Sequence, residues 1–208
     1  MSKKTVIIIL IFTLIIPLTL WNISQFLTRK PVLPSELQGI LWPEPKPLQT
    51  FTLIDQHQQP FSLEHLKGKW TFLFFGYTYC PDICPTSMVV LKTVYKHLQQ
   101  KSIALDLQVV FVSVDPARDT STIILDYLEY FSKEFVGLTG TAKDIEEFAR
   151  QIGAGYIKQT NDQTGGYQVN HTSTFFLIDP QARLHAGFPP PHIPQTIVNQ
   201  FLQIRSIW

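Results

Sequence analysis

The sequence predicts an α/β domain with a mixed central sheet and flanking helices, preceded by one N-terminal transmembrane helix. Three observations carry this. Trp70 to Phe75 and Leu107 to Val114 are continuous apolar runs, as expected of strands buried on both faces. Between them, residues 86–100 place Met88, Leu91, Val94, Tyr95 and Leu98 at helical spacing. From Thr5 to Leu27 no charge interrupts an apolar stretch, and 23 residues at about 1.5 Å each cover the roughly 30 Å hydrocarbon layer.

The elements follow in order. Residues 1–27 are expected to be an uncleaved anchor, since Leu20 to Phe26 offers no small-residue cleavage pattern and no Cys for a lipid. Lys3 and Lys4 face Arg29 and Lys30 across the span, so the charge count only slightly favours a cytoplasmic N-terminus. Residues 28–49 are expected to be a linker, because Pro31, Pro34, Pro43, Pro45 and Pro47 prevent regular helix. Residues 50–208 are expected to form the globular domain. Phe51 to Asp55 and Pro60 to Leu63 predict two short strands around a polar hairpin loop, Gln56 to Gln59. After the strand–helix–strand unit, residues 123–131 predict a helix with Asp119 or Thr120 as N-cap, and residues 144–152 another. Thr174 to Ile178 and Ala182 to Ala186 predict strands around an Asp179-Pro180 turn, and residues 193–204 a closing helix. Two buried strands joined through a helix, with a hairpin pair at the end, give a mixed sheet of thioredoxin-like type.

Composition excludes little but is informative. The chain is 45% hydrophobic and 16% charged, with 17 Lys+Arg against 16 Asp+Glu and a net charge of +1. No basic or acidic run calls for nucleic acid. Gly153 to Gly155 and Gly165-Gly166 are turn signals and match no phosphate-binding fingerprint.

The chemistry lies in the two cysteines, Cys80 and Cys84, within Tyr77-Thr78-Tyr79-Cys80-Pro81-Asp82-Ile83-Cys84-Pro85. They follow a buried strand and precede a helix, whose positive end favours thiolate. Pro85 suits the first helical position. Three readings compete: inert core cysteines, a redox-active dithiol, and a metal site. The dithiol has three intervening residues where the usual redox motif has two. Two thiolates are soft ligands that select Cu(I), zinc or iron–sulfur clusters. Structural zinc wants four ligands, and a cluster wants four cysteines. Copper with two thiolates needs only one histidine from elsewhere.

Of the six histidines, His57 and His65 lie in or near the first hairpin, His97 lies about three turns along the helix, His185 lies in a strand, and His192 follows three prolines. His171 stands just ahead of the strand from Thr174 to Ile178, where a thioredoxin-like fold brings a loop against the Cys segment. A ligand role and an ordinary hydrogen-bonded role both fit it.

Three segments together resemble the Sco/SenC family, copper proteins associated with assembly of cytochrome c oxidase. Gly76 to Pro85 is similar to the family's Cys loop, Ser113-Val114-Asp115-Pro116-Ala117-Arg118-Asp119-Thr120 to its second signature, and Asn170-His171-Thr172 to its His motif. The resemblance covers about residues 46 to 206. It implies copper, as Cu(I), Cu(II) or both, held by Cys80, Cys84 and His171. The family usually has Asp before that His, where this chain has Asn170, which puts the surroundings of the imidazole in question. Asp115 is the other acidic candidate for a role behind the ligands, or else a strand-end cap.

The resemblance further implies a copper chaperone acting on the copper-site subunit of cytochrome c oxidase. Other copper chaperones or thioredoxin-like reductants are possible partners. Cys80 and Cys84 would equally serve a thiol–disulfide reductase acting on that subunit, or a copper or redox sensor. The expected location is the bacterial inner membrane, single-pass, with the domain in the periplasm. In a eukaryote it would be the mitochondrial inner membrane, facing the intermembrane space.

Overall fold

The computed structural model describes residues 15–21, 34–101, 106–161 and 166–208. The chain divides into two compact units, Met1–Ser35 and Glu36–Trp208. In the first, residues 15–21 are helical, and the remainder of the expected span lies outside the described residues. No helix among the described residues is long and apolar enough to cross a membrane.

The second unit is built on β4 (Trp70–Gly76) and β5 (Leu107–Ser113), parallel from Trp70↔Leu107 to Gly76↔Ser113 and buried along their whole length. Helix α1 (Ile83–Gln100) connects them and buries Met88, Leu91, Val94, Tyr95 and Leu98, the positions its spacing predicted. Parallel to β5 lies β6 (Val136–Thr139), a four-residue strand not expected from the sequence. Antiparallel to β4 lies β9 (Phe175–Ile178), followed by β10 (Arg183–Phe188). The hairpin of β2 (Thr52–Asp55) and β3 (Pro60–Ser62) extends the far edge. With β1 (Leu41–Pro47) at the near edge, the full order is β1-β10-β9-β4-β5-β6-β2-β3, a mixed eight-stranded sheet.

β1 corrects the expected linker. Leu41–Pro47 pairs antiparallel with β10, and Leu37 and Leu48 are buried in the core. The domain therefore begins before residue 50. Pro43, Pro45 and Pro47 are compatible with this because the strand is at the sheet edge, where a missing N–H costs no ladder bond. Hydrogen bonds also anchor both ends of the strand: Ile40 O accepts from Gly187 N at 2.8 Å, and Leu48 N donates to Ala182 O at 3.1 Å. The register slips between Leu41 and Lys46.

Helices cover both faces. Side chains alternate along β4 with the strand's two-residue period. Trp70 and Phe72 meet Phe201 of α4 (Pro194–Ile207), which packs beside α1. Phe75, on the opposite face, meets Phe148 of α3 (Ala142–Ile152). Helix α2 (Ser121–Glu129) lies against β6, where Gly137 leaves room for Ile124 and Leu128. Its N-cap is Thr120, whose hydroxyl accepts from Ile123 N; Asp119 is used elsewhere. The expected Asp179-Pro180 turn is held by buried Asp179, which accepts from Gln181 N, Arg183 N and the Arg183 guanidinium.

A second sheet stands apart from the first. β7 (Tyr156–Asn161) and β8 (Gly166–His171) form a two-stranded antiparallel hairpin, with Tyr156↔His171 at its base. The histidine expected ahead of β9 is thus the last residue of β8.

Candidate metal centre

The site is assembled at the carboxyl end of β4. Gly76 ends that strand, and only glycine fits there. A Cβ would lie 2.8 Å from Phe111 Cε2 and 3.1 Å from Cys84 Sγ. The chain then turns through Tyr77 O accepting from Cys80 N at 3.3 Å, and α1 begins at Ile83. This is three residues earlier than the expected start. Cys84 therefore sits inside the first turn of the helix. Pro85, one residue further, occupies a position whose N–H has no intrahelical acceptor anyway.

Helix geometry separates the roles of the two sulfurs. Cys84 is fully buried, whereas Cys80 is partly open. Cys84 N donates to Cys80 Sγ at 3.4 Å, placing that sulfur at the positive end of the helix. The hydrogen bond from the Cys84 thiol holds Cys80 down at about 4 against the effect of burial. The N–H groups of Asp82 and Cys84 contribute. Holding the shared proton, together with burial, pushes Cys84 up. Thiolate was expected of both cysteines; the surroundings favour it at Cys80 and oppose it at Cys84.

β8 delivers the third donor. His171 Nε2 lies 3.2 Å from Cys84 Sγ. Its Nδ1 lies 3.1 Å from the Thr172 carbonyl, which can only accept, so Nδ1 donates there and Nε2 faces the sulfurs. Phe74 and Tyr77 pack edge-on against the ring, at centroid distances of 5.7 and 6.1 Å. The base of the hairpin is pinned by Thr172 N donating to Gly155 O at 2.9 Å and Gly155 N donating to Thr172 Oγ1 at 3.0 Å. The ligand atoms of Cys80, Cys84 and His171 all lie within 4.8 Å of one another. Cys80 and His171 open on a cleft of about 340 Å³ lined also by Tyr77, Ile83 and Val169, with Cys84 buried behind them. Two sulfurs and one imidazole nitrogen, with one thiol proton between them that a cation would displace, fit a soft metal ion.

Of the other two candidates, Asn170 is exposed and lines the same cleft as Cys80 and His171. The hydrogen bond that orients the imidazole comes from the Thr172 carbonyl, so neither Asn170 nor Asp115 supplies it. Asp115 is fully buried behind the site. Tyr167 Oη donates to it at 2.6 Å, Lys158 Nζ lies at 3.3 Å, and Arg118 Nε completes the group. Burial acts to raise its pKa, but the bonds from Tyr167 and Arg118 outweigh that and hold the carboxyl below its ordinary value.

Asp119 was expected only as a helix cap. It is buried, and its carboxylate accepts from Thr78 N at 2.9 Å, Thr78 Oγ1 at 2.7 Å and Ser113 Oγ at 2.6 Å. It thereby ties the Cys loop to the end of β5. Its position beside Arg118 in the second signature was the available signal. Of the remaining histidines, His65 stacks on Phe61, His185 faces Asp179 and His192 stacks on Phe175.

A thioredoxin-like sheet with one cysteine just ahead of the helix that follows β4, a second in that helix's first turn, and a histidine facing them, defines a protein of that fold class whose Cys-Cys-His group could hold a metal ion. The chain belongs to the SCO1/SenC family, whose model matches residues 43–205. A SCO2-like protein of Rickettsia felis is 34% identical over 154 residues, 74% of this chain and 74% of its own length. The crystal structure of Arabidopsis thaliana ScoI with copper bound superposes with a TM-score of 0.72 at 29% identity, covering 77% of this chain and 98% of that one. BsSco superposes with a TM-score of 0.64 at 25% identity, covering 82% of this chain and 100% of that one. It is described as a member of the Sco family of cytochrome c oxidase assembly proteins with a disulfide switch.

Proposed function

We propose that this chain is a membrane-anchored copper chaperone that delivers copper to the copper site of cytochrome c oxidase during assembly of that enzyme. The observation that carries the reading is the convergence of Cys80, Cys84 and His171 within 4.8 Å at an open cleft. Copper is the cargo. The two sulfurs suit Cu(I), and the imidazole adds the nitrogen that Cu(II) prefers. Three protein donors leave one side of the ion open to a thiolate or imidazole of the oxidase's copper-site subunit. Other copper chaperones would load the site, and thioredoxin-like reductants would keep its thiols reduced.

The uncharged run from Thr5 to Leu27 supports anchoring in the bilayer. So do the exposed side chains of Ile15, Ile16 and Trp21, which water alone would not favour. The working location is the bacterial inner membrane with the domain in the periplasm, or the corresponding mitochondrial compartment. Exposed thiol chemistry and copper handling belong together there.

One observation favours a second reading. Cys80 is partly open with its thiol pKa held down, and Cys84 is buried behind it with its thiol pKa pushed up, the arrangement of an attacking and a resolving thiol. That is the equipment of a thiol–disulfide reductase for the same subunit. His171 separates the two readings, because a simple dithiol reductase has no need of it. The test scores cytochrome oxidase activity in cells carrying Cys80→Ser or His171→Ala. Delivery predicts that both fail and that added copper partly restores the His171 variant. Full activity of His171→Ala, with Cys80→Ser inactive at every copper level, would assign the work to thiol exchange.

A further inference from the structure

His171 is mounted differently from the cysteines. Cys80 and Cys84 are held by β4, α1 and the Asp119 clamp, whereas His171 ends a hairpin that shares no ladder with the main sheet. At its base the hairpin is tied through Thr172 and Gly155. Further along, Val169 is buried in the core, and the outer part of β8 meets the body of the domain through a cluster around Arg118. Arg118 Nη1 donates to Tyr167 O at 3.1 Å, and its guanidinium lies 3.8 Å from the centroid of the Tyr167 ring. The same guanidinium faces Tyr79 at 5.1 Å and Tyr77 at 5.6 Å, both on the Cys loop. Behind it, Asp115 holds Arg118, Tyr167 Oη and Lys158 Nζ. Arg118 Nη2 is buried with no hydrogen-bond partner among the described residues, so ring faces and the Asp115 carboxylate hold that end of the group in place of water.

We propose that Arg118, seated on Asp115, is a positioning residue for His171: it latches the β7–β8 hairpin to the Cys loop, so that the third donor is present only while the latch is closed. The three-donor site and a two-cysteine site are then the closed and open forms of one centre. Arg118 touches none of the ligand atoms; it acts through Tyr167, four residues ahead of His171 on β8. A planar guanidinium can bond Asp115 and Tyr167 O in its plane while stacking on Tyr167, which an ammonium cannot do. This inference rests on the copper-site reading for its consequence, but the latch itself can be tested without metal.

The test uses the full chain in detergent, as wild type, Arg118→Ala, Arg118→Lys, His171→Ala and the Arg118→Ala/His171→Ala double variant. In the metal-free proteins, hydrogen exchange of the amides from Tyr167 to His171 is expected to quicken by about tenfold or more in Arg118→Ala, with β4 and β5 unchanged. Arg118→Lys should fall between. Cu(II) affinity of Arg118→Ala should drop towards that of His171→Ala, with the double variant no weaker than His171→Ala alone, while Cu(I) affinity moves much less. Unchanged hairpin exchange, or a double variant weakened by the product of the two single effects, would overturn the latch. If Arg118→Ala loses β4 and β5 protection as well, Tyr167→Phe, which removes only the bond to Asp115, is read in the same way. Should His171→Ala bind copper as wild type does, the copper-site reading fails, and the exchange result still judges the latch.

Discussion

Cys80→Ala and Cys84→Ala are each expected to abolish tight copper binding. Each removes one of two sulfurs, and what remains, one thiolate and one imidazole, is a poor site for Cu(I). The expected loss is on the order of a thousandfold in affinity, about 4 kcal/mol. The two variants should differ in other respects. Cys84 is buried against Gly76 and the core, so its truncation also leaves a small void and costs some stability. Cys80 is partly open, and its loss should leave stability near that of wild type. His171→Ala should weaken Cu(II) strongly and Cu(I) less, since both sulfurs remain. Competition titrations with Cu(I) and Cu(II), beside denaturant unfolding of the metal-free proteins, check these expectations. Undiminished Cu(I) binding by either cysteine variant would remove the site from this cleft.

The second large effect is expected at Asp119. Its carboxylate accepts three hydrogen bonds in a fully buried setting, two of them from Thr78 on the Cys loop. Asp119→Ala leaves Thr78 N and two hydroxyls without their acceptor. Bonds to a charged group contribute roughly 1.5–3 kcal/mol each, and losses within one network are not additive, so about 3 kcal/mol of destabilisation is expected. Copper affinity should fall with it, because Thr78 stands two residues before Cys80. Asp119→Asn keeps one carbonyl oxygen where Ser113 and Thr78 N converge, and should lose about half as much. Unfolding midpoints and a Cu(I) titration measure both. A wild-type midpoint in Asp119→Ala would show that the loop is held by something else.

Asp119 also marks where reading the sequence stops. The buried strands β4 and β5, helix α1 and the cysteine pair are legible because continuous apolar runs and helical spacing are strong signals, and because Gly76 and Pro85 punctuate them. His171 is legible from its place ahead of β9. β1 is not, since Pro43, Pro45 and Pro47 speak against a strand unless it is known to lie at an edge. β7 and β8 are missed for a related reason. Tyr156–Asn161 and Gly166–His171 are polar and mostly exposed, so no alternation of apolar residues marks them. The carbonyl of Thr172 orients His171, and a backbone group leaves no trace in residue type. Asp119 and Thr120 both look like caps; only the packing of the Cys loop on β5 decides that Thr120 caps and Asp119 turns inward. Arg118 and Tyr167 lie 49 positions apart, and nothing in either segment announces the other.

The central claim is that two sulfurs and one imidazole of this cleft hold copper. X-ray absorption at the copper edge, on the full chain loaded with one equivalent of copper, counts those neighbours directly. The account predicts two sulfur neighbours and one imidazole nitrogen for the wild type, and loss of the imidazole contribution alone in His171→Ala. Copper surrounded only by nitrogen and oxygen, or by a single sulfur, would contradict it.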